Sequence, residues 1–274
     1  MNTTTQHQII HWDTESNKGK EKDLLGEEPL SIRIQGNPYS VVMRTPGDEK
    51  PLVAGFCLTE GVINTPDDFV SIAFCDGEDT NVIAVTLKPS RRDKISDILD
   101  RRGFISQSSC GLCGKELVKD LFQLIQPLES EIRLDVKKAL SCLETITRYQ
   151  PLRKKTRAAH AAVLYNSKFE IMGAAEDVGR HNALDKVIGK VFLDNKLEQA
   201  VLLTLSSRIS YELVQKAARA RIPIILAISR PTTLAVQLAS ELNITLATLA
   251  DGPGLYVFCG AQRLSDATQL KQVG

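Results

Sequence analysis

Residues 200–249 read AVLLTLSSRISYELVQKAARARIPIILAISRPTTLAVQLASELNITLATL. Three short apolar runs, at 200–205, 223–228 and 245–249, are separated by stretches with helical spacing at 211–220 and 232–242. Apolar runs of this length without polar alternation fit strands buried on both faces. Strands of that kind alternating with helices predict an α/β fold: a largely parallel sheet with helices on its faces. Working outward, 159–165 and 169–173 form a hairpin pattern around Asn166-Ser167, 183–193 is helical, and 256–259 is a last strand.

The N-terminal half has a different grain. Leu30, Ile32 and Ile34 alternate as in a half-buried strand. Gln35-Gly36-Asn37-Pro38 reads as a turn, and 39–44 as the returning strand. Asp48 is a candidate cap for a helix over 52–60, stopped by Gly61. A strand is predicted at 81–87 and helices at 94–102, 115–125 and 135–143, with a linker at 144–157. Residues 1–26 are polar and predict a flexible segment. The expected organisation is therefore a flexible 1–26, a smaller N-terminal α+β lobe over 27–150, and a larger α/β/α lobe over 151–274.

Composition narrows the function. The 274 residues are 43% hydrophobic and carry a formal net charge of +1. No strong field draws the chain to nucleic acid or to an anionic membrane. The densest basic cluster, Arg153-Lys154-Lys155 with Arg157, reads as a solvated segment. The first residues lack the apolar core of a signal peptide, and no apolar run is long enough for a membrane helix. The six cysteines are expected to be reduced, in a cytoplasmic protein.

Only one pair of cysteines is closely spaced. Ser108-Ser109-Cys110-Gly111-Leu112-Cys113-Gly114 puts two thiols in a glycine-rich turn before the predicted helix at 115–125. Backbone N–H groups at a helix start favour a thiolate, and glycines leave the sulfur unshielded. A structural zinc site needs about four ligands, and the remaining cysteines, with His160 and His181, stand alone. No metal site is therefore expected. A thioredoxin-like dithiol shares the spacing but lacks a leading strand. A nucleophilic or persulfide-carrying thiol needs only one accessible cysteine of low pKa and a neighbour. Spacing alone does not separate that reading from a tight turn built of small residues. Zinc-deaminase chemistry is excluded: His160 is followed by Ala161-Ala162 where His-x-Glu is required, and the cysteine pair comes earlier and without proline.

The run Glu176-Asp177-Val178-Gly179-Arg180-His181-Asn182-Ala183-Leu184-Asp185-Lys186 mixes acid, base, imidazole and amide before a helix. Asn182 suits the N-cap, and Arg180 with His181 suits an anion at the helix start. Loops at 204–208, 228–233 and 249–254 follow the three buried strands. Open α/β sheets usually bind ligands at that edge, and a phosphate-bearing ligand fits these loops of small hydroxyls, Arg and Gly.

Together these runs resemble the FdhD/NarQ family. The resemblance rests on Glu28-Pro29-Leu30-Ser31-Ile32-Arg33, Ala54-Gly55-Phe56-Cys57-Leu58-Thr59-Glu60-Gly61, the Cys110 run, His160-Ala161-Ala162, the Asp177–Lys186 run, Ser207-Arg208-Ile209-Ser210-Tyr211-Glu212 and Pro231-Thr232-Thr233-Leu234. It implies a sulfurtransferase that takes persulfide sulfur from a cysteine desulfurase. The sulfur passes to the bis-molybdopterin guanine dinucleotide molybdenum cofactor, bound as client, for formate dehydrogenase. A non-catalytic cofactor-binding chaperone is the alternative. The resemblance further implies a cytidine-deaminase-like larger lobe, a homodimer, Cys110 as persulfide carrier and Cys113 as second acceptor. It places the cofactor's guanine dinucleotide, which GDP would mimic, on Leu249, Ala250, Asp251, Gly252, Pro253 and Gly254. The chain departs from the family pattern in carrying Thr156-Arg157-Ala158-Ala159 before His160, and Asp251 in a loop that is usually basic. Backbone N–H groups of a glycine-rich loop can still hold phosphate.

Overall fold

The computed structural model describes residues 2–75, 81–94 and 125–266. Cys110, Cys113 and the helices predicted around them, at 94–102 and 115–125, lie outside the described residues, save Lys94 and Ile125 at their ends. The chain opens with a hairpin rather than the expected flexible segment. Strands β1 (Thr4–Trp12) and β2 (Asn17–Leu25) pair antiparallel. The Asp13 carboxylate accepts the N–H groups of Glu15 (2.9 Å) and Ser16 (2.7 Å), which closes the turn. The hairpin is exposed on both faces, with Trp12 at 72% of its surface free. It needs no apolar face of its own, so its composition reads as disorder. Its base is tied down by Asp23, which pairs with Lys155 at 3.0 Å, and by Gly26, which donates to Thr3 O at 2.8 Å.

Among the described residues, the smaller lobe is a four-stranded sheet in the order β4-β3-β6-β5 with one long helix. Its elements are β3 (Glu28–Ile34), β4 (Asn37–Arg44), α1 (Glu49–Thr59), β5 (Phe69–Phe74) and β6 (Val82–Leu87). Leu30, Ile32 and Ile34 alternate inward, as do Ile83, Val85 and Leu87. Gln35 (φ 52°) and Gly36 (φ 83°) make the two-residue turn whose twist suits a hairpin. Strand β5 has no counterpart in the sequence reading: FVSIAF does not alternate, and a register shift between Phe69 and Ser71 breaks its period.

The larger lobe holds a six-stranded sheet in the order β13-β12-β11-β10-β8-β9. The strands are β8 (His160–Tyr165), β9 (Ile171–Asp177), β10 (Leu202–Leu205), β11 (Ile224–Ala227), β12 (Thr245–Leu249) and β13 (Leu255–Cys259). Only β10, β11 and β12 are mutually parallel; β8, β9 and β13 join antiparallel. The sheet is thus mixed rather than largely parallel. The connections β8–β9 and β12–β13 are too short for the crossover a parallel pair requires. Alternate residues face opposite layers. Leu203, Leu205, Ile225 and Leu246 pack with α4 (Arg180–Leu193), α5 (Tyr211–Arg219) and α6 (Thr233–Glu241). Leu202, Ile224, Leu226 and Ala247 pack with α2 (Val136–Glu144) and a 3-10 turn, Thr145–Tyr149. Short strands β7 (Leu134–Asp135) and β14 (Leu264–Ser265) pair beside that second layer. The larger lobe is α/β/α and the smaller α+β.

The stretch expected as a linker is mostly helical, because α3 (Pro151–Thr156) follows the 3-10 turn. Its start is capped from afar. The Glu176 carboxylate, on β9, accepts the N–H groups of Leu152 (2.6 Å) and Arg153 (2.8 Å). No local sequence signal announces a cap supplied by another strand.

One core runs through both lobes, because α1 lies directly on α4. The crossing brings backbone to backbone. A methyl group at Gly55 would collide with the Asp185 carbonyl oxygen, and one at Gly189 with the Pro51 carbonyl oxygen. Overpacking a core typically costs about 1–3 kcal/mol, and more when the obstacle is backbone. Gly189→Ala is therefore expected to lose about 3 kcal/mol in urea unfolding. A loss under about 1 kcal/mol would show that the helices can part without cost.

Candidate functional site

The run 176–186 spans the end of β9 and the start of α4, and most of its polar residues are spent on structure. Asp177 is fully buried. Its carboxylate accepts from Thr45 N (3.1 Å), Gly179 N (2.9 Å) and Asn182 Nδ2 (3.0 Å), and pairs with Lys186 at 2.8 Å. Lys186 also donates to Thr45 O at 2.8 Å, and Asn182 to Met43 O at 2.7 Å. Asn182 is not the N-cap that the sequence suggested. Gly179 holds that position, because Asp177 takes the Gly179 N–H and bends the chain into the helix three residues sooner.

Asp185, the residue before Lys186 and about 100° from it round α4, is buried too. It accepts from Lys216 Nζ (2.7 Å) and Thr59 Oγ1 (2.9 Å), and Lys216 donates to Thr59 Oγ1 at 2.9 Å. Burial pushes the Asp185 carboxyl up, while Lys216 and Thr59 pull it back. Burial opposes the charge on Lys216 too, but Asp185 and Glu60 outweigh it and hold the ammonium protonated. The Lys216 ammonium also stands 5.4 Å from the Phe56 ring centroid.

Arg180 and His181 are left facing the end of the sheet. His181 Nε2 stands 3.2 Å from the Glu212 carboxylate. Burial first, then Arg180, Lys216 and Arg208, push this imidazole down to about 3. It is therefore neutral at physiological pH, and the contact is a hydrogen bond donated by Nε2–H to Glu212 rather than an ion pair. His160, which opens β8, is held below its ordinary value by burial and by Arg153 and Arg180. Its Nδ1 and the Arg180 Nε are buried without a partner among the described residues. An unmade bond at such an atom costs about 1–3 kcal/mol.

The three strand-end loops lie side by side, as the sequence implied. Ile228 N donates to Leu205 O (3.0 Å), Thr232 N to Ile209 O (3.0 Å) and Ile209 N to Arg230 O (3.4 Å). Ser206 and Ser207 are partly engaged: Ser206 Oγ accepts from Ala161 N (2.8 Å) and Ser207 Oγ donates to Arg208 O (3.0 Å). Arg208 is exposed, with no ion pair among the described residues. Within the loop Leu249, Ala250, Asp251, Gly252, Pro253 and Gly254, Ala250 N bonds Gly254 O at 3.0 Å, and Gly254 takes φ 111°. Asp251 is bound at 2.8 Å by Arg230, whose guanidinium lies 4.4 Å over the Tyr256 ring. Sequence reasoning missed the Glu212–His181 contact and the Arg230–Tyr256 stack. Their only sequence signals are an acid in the first turn of a helix and an aromatic just past a glycine loop.

None of the well-buried thiols is poised to react. Burial pushes Cys142 up to about 11 and raises Cys57 and Cys259. Cys57, Cys75, Cys142 and Cys259 are all free. Among the described residues no cluster of three His, Cys, Asp or Glu could hold a metal, and no helix is long and apolar enough to cross a membrane.

Comparison with known proteins gives one family. The profile of the FdhD/NarQ family matches residues 25–265. The sulfur carrier protein FdhD of Streptomyces avermitilis is 37% identical over 88% of this chain and 89% of its own. That of Mycobacterium tuberculosis is 35% identical over 96% and 99%, and that of Saccharolobus solfataricus 35% over 89% and 92%. A crystal structure from Desulfotalea psychrophila, of a protein described as a formate dehydrogenase accessory protein, superposes with a TM-score of 0.76. It covers 96% of this chain and all of that one at 23% identity, which speaks for the fold.

The state of His181 has a consequence for stability. Its folded value lies below the unfolded value, so the native state binds fewer protons between them. Its contribution is complete above about 6.5, the ordinary imidazole value, and is lost as pH falls toward the folded value. Urea unfolding between pH 7 and pH 5 should therefore show a shallower pH dependence in His181→Gln than in the parent. Nuclear magnetic resonance should find the ring neutral at pH 5, and an ordinary imidazole titration there would overturn the assignment.

Proposed function

The chain belongs to the FdhD/NarQ family, and on that footing we propose that it is a cytoplasmic sulfurtransferase serving formate dehydrogenase. Cys110 receives sulfur from a cysteine desulfurase. Its thiolate attacks the outer sulfur of the donor's persulfide, the S–S bond breaks, and the donor cysteine leaves as thiolate. Cys110 then carries the sulfur as a persulfide with no net oxidation. Cys113 is the second acceptor by the same exchange. The recipient is the molybdenum of the bis-molybdopterin guanine dinucleotide cofactor, held as client, and the carrier acts as a homodimer.

The observation that carries this reading is the extent of the likeness. Relatives named as sulfur carriers align over 88–96% of the chain, and the family profile spans Cys110 and Cys113. The residues Leu249 to Gly254 are the proposed seat of the guanine dinucleotide. Support comes from their position at the carboxyl end of β12, beside the parallel strands β11 and β10, where open α/β sheets take ligands.

Incubation with a cysteine desulfurase and cysteine should add the mass of one sulfur at Cys110, read by mass spectrometry. Cys110→Ala should abolish formate dehydrogenase maturation in cells that lack the parent chain. Full activity in that variant would leave the cofactor-chaperone reading standing instead. The Cys110→Ala, Cys113→Ala double variant should melt close to the parent, within about 0.5 kcal/mol, as surface substitutions do. A loss of several kcal/mol would make the pair structural.

GDP should bind saturably and protect the amides of 249–254 from hydrogen exchange. Protection confined to the smaller lobe would show that the nucleotide sits elsewhere.

A further inference from the structure

The hairpin of β1 and β2 stands apart from the other sheets. Neither strand pairs with a third, so each leaves one edge of backbone N–H and C=O groups open among the described residues. The two edges are unlike. Strand β2, NKGKEKDLL, carries Lys18, Lys20, Glu21, Lys22 and Asp23, the kind of charge with which native sheets guard an edge. Strand β1, TTQHQIIHW, has no Asp, Glu, Lys or Arg, no Pro and no Gly, and is rich in Thr, Ile and Trp. Such a segment is a template for a further strand. The geometry points to the outer edge of β1 as a docking surface for β1 of a second copy of this chain, the two strands running antiparallel about a two-fold axis at Gln8. The choice of a second copy rests on the homodimer proposed above and on the self-complementarity of the strand; it does not need the sulfur chemistry.

About Gln8 the strand complements itself. Thr4 falls opposite Trp12 of the second copy, Thr5 opposite His11, Gln6 opposite Ile10 and His7 opposite Ile9, so no fixed charge meets its like. Even-numbered residues meet even-numbered ones, which keeps each face of the joined sheet continuous. On an otherwise polar hairpin, Ile10 and Trp12 share one face. They are the two most exposed large apolar side chains among the described residues, at 67% and 72%. The neighbouring strand does not cover them: Ile10 is paired with Gly19, where a Cβ would meet no heavy atom within 4 Å, and Trp12 with Asn17. Pairing about the two-fold sets each indole against Thr4 of the other copy.

The base of the arm is fixed to the body, because Asp23 pairs with Lys155 at 3.0 Å and Lys155 donates to Thr4 Oγ1 at 3.1 Å. Beyond that base the ribbon has only its own ladder. A two-stranded ribbon alone is marginal in water, whereas three or more strands with an apolar face hold together. Pairing in trans gives the order β2-β1-β1-β2, with Ile10 and Trp12 of both copies on one face. The guarded β2 strands are then outermost, and Lys18, Lys20 and Lys22 stop further growth, so a closed pair forms rather than a fibre. A nine-residue edge, about 30 Å long, buries less than the roughly 800 Å² per partner of a standard interface, so the pair should dissociate on dilution.

The test is sedimentation of the full chain over a dilution series, in which the parent should pass from dimer to monomer. Gln8 lies on the two-fold and bonds Glu21 of its own hairpin at 2.5 Å. Gln8→Lys keeps a favourable partner for Glu21, and so the arm, while it sets like charges opposite each other across the two-fold. It should weaken the dimer roughly fivefold. An equal mixture of Gln8→Lys and Gln8→Glu should associate at least as tightly as the parent, which an unfolded arm could not do. Trp12 is the chain's one tryptophan, so fluorescence reports this edge directly. Its emission should shift to the blue, and iodide quenching should fall, as the dimer forms. A parent that stays monomeric overturns the proposal, as does a dimer indifferent to Gln8→Lys or one that leaves Trp12 as open to iodide as in the monomer. Shielding of Trp12 only after a cysteine desulfurase is added would give the edge to that protein and overturn the self-pairing. Failure of Cys110 to take up sulfur in a chain that still dimerises through β1 would sink the sulfurtransferase reading and leave the arm standing.

Discussion

The contact of α1 with α4 is the constraint from which the rest of the structure is laid out. Two glycines, Gly55 and Gly189, let the helix backbones touch, which brings Asp185 of α4 against Thr59 at the end of α1. A carboxylate at that depth would be ruinous alone. Lys216 from α5 satisfies it, and Thr59 bonds to both. Removing one partner from such a pair typically costs about 3–5 kcal/mol, because the other charge is left stranded. About 100° round α4 from Asp185, Lys186 makes a second buried pair with Asp177, closed over by the Thr45 backbone. The helix is thus held at two points of its circumference, and its rotation about its own axis is set. Arg180 and His181 face the sheet end as a result.

Burial separates structure from candidate chemistry in this chain. Asp177, Asn182, Asp185 and Lys186 belong to the residue types of an active site, and all four are satisfied by protein partners. Arg180, Arg208 and His160 lack that closure. Burial above all, then Arg180, Lys216 and Arg208, keeps His181 neutral, so the imidazole adds a hydrogen bond to Glu212 and no further positive charge. A site for an anion gains from guanidinium groups, which stay charged, more than from imidazoles whose charge their neighbours suppress.

How legible each element was follows from where its determinants lie. The central strands and the helices between them could be read because continuous apolar runs must be buried on both faces, and these are properties of the local chain. The Gln35-Gly36 turn was equally local. What escaped depends on distant partners. Helix α3 is capped by Glu176 from another strand, and the Asn182 side chain is drawn to Met43 O rather than to its own helix. The hairpin of β1 and β2 is polar on both faces and anchored through Lys155. Of the antiparallel flanks, the β8–β9 hairpin was legible around Asn166-Ser167, whereas the antiparallel joins of β8 to β10 and of β13 to β12 were not. In the site, the shared edge of three loops followed from strand order. The occupation of Ser206 by Ala161, and of Glu212 by His181, came only from folding.

The acid in the loop 249–254 is the feature of this chain least suited to a phosphate-bearing ligand, and the structure answers it electrostatically. Asp251 is 81% exposed and paired with Arg230, itself 46% exposed. A pair so open to water adds little to stability, about 0–1 kcal/mol. Its effect is on the field: the carboxylate is neutralised where it stands. Because the Arg230 guanidinium also lies over the Tyr256 ring, it is oriented before any ligand arrives. The loop then presents its backbone and the flat face of a stacked arginine, which are suited to a base, while Arg208, exposed and without an ion pair among the described residues, follows β10 two strands away. On the proposed function, an acidic loop at β12 is compatible with a phosphate-bearing client because its one carboxylate is already paired.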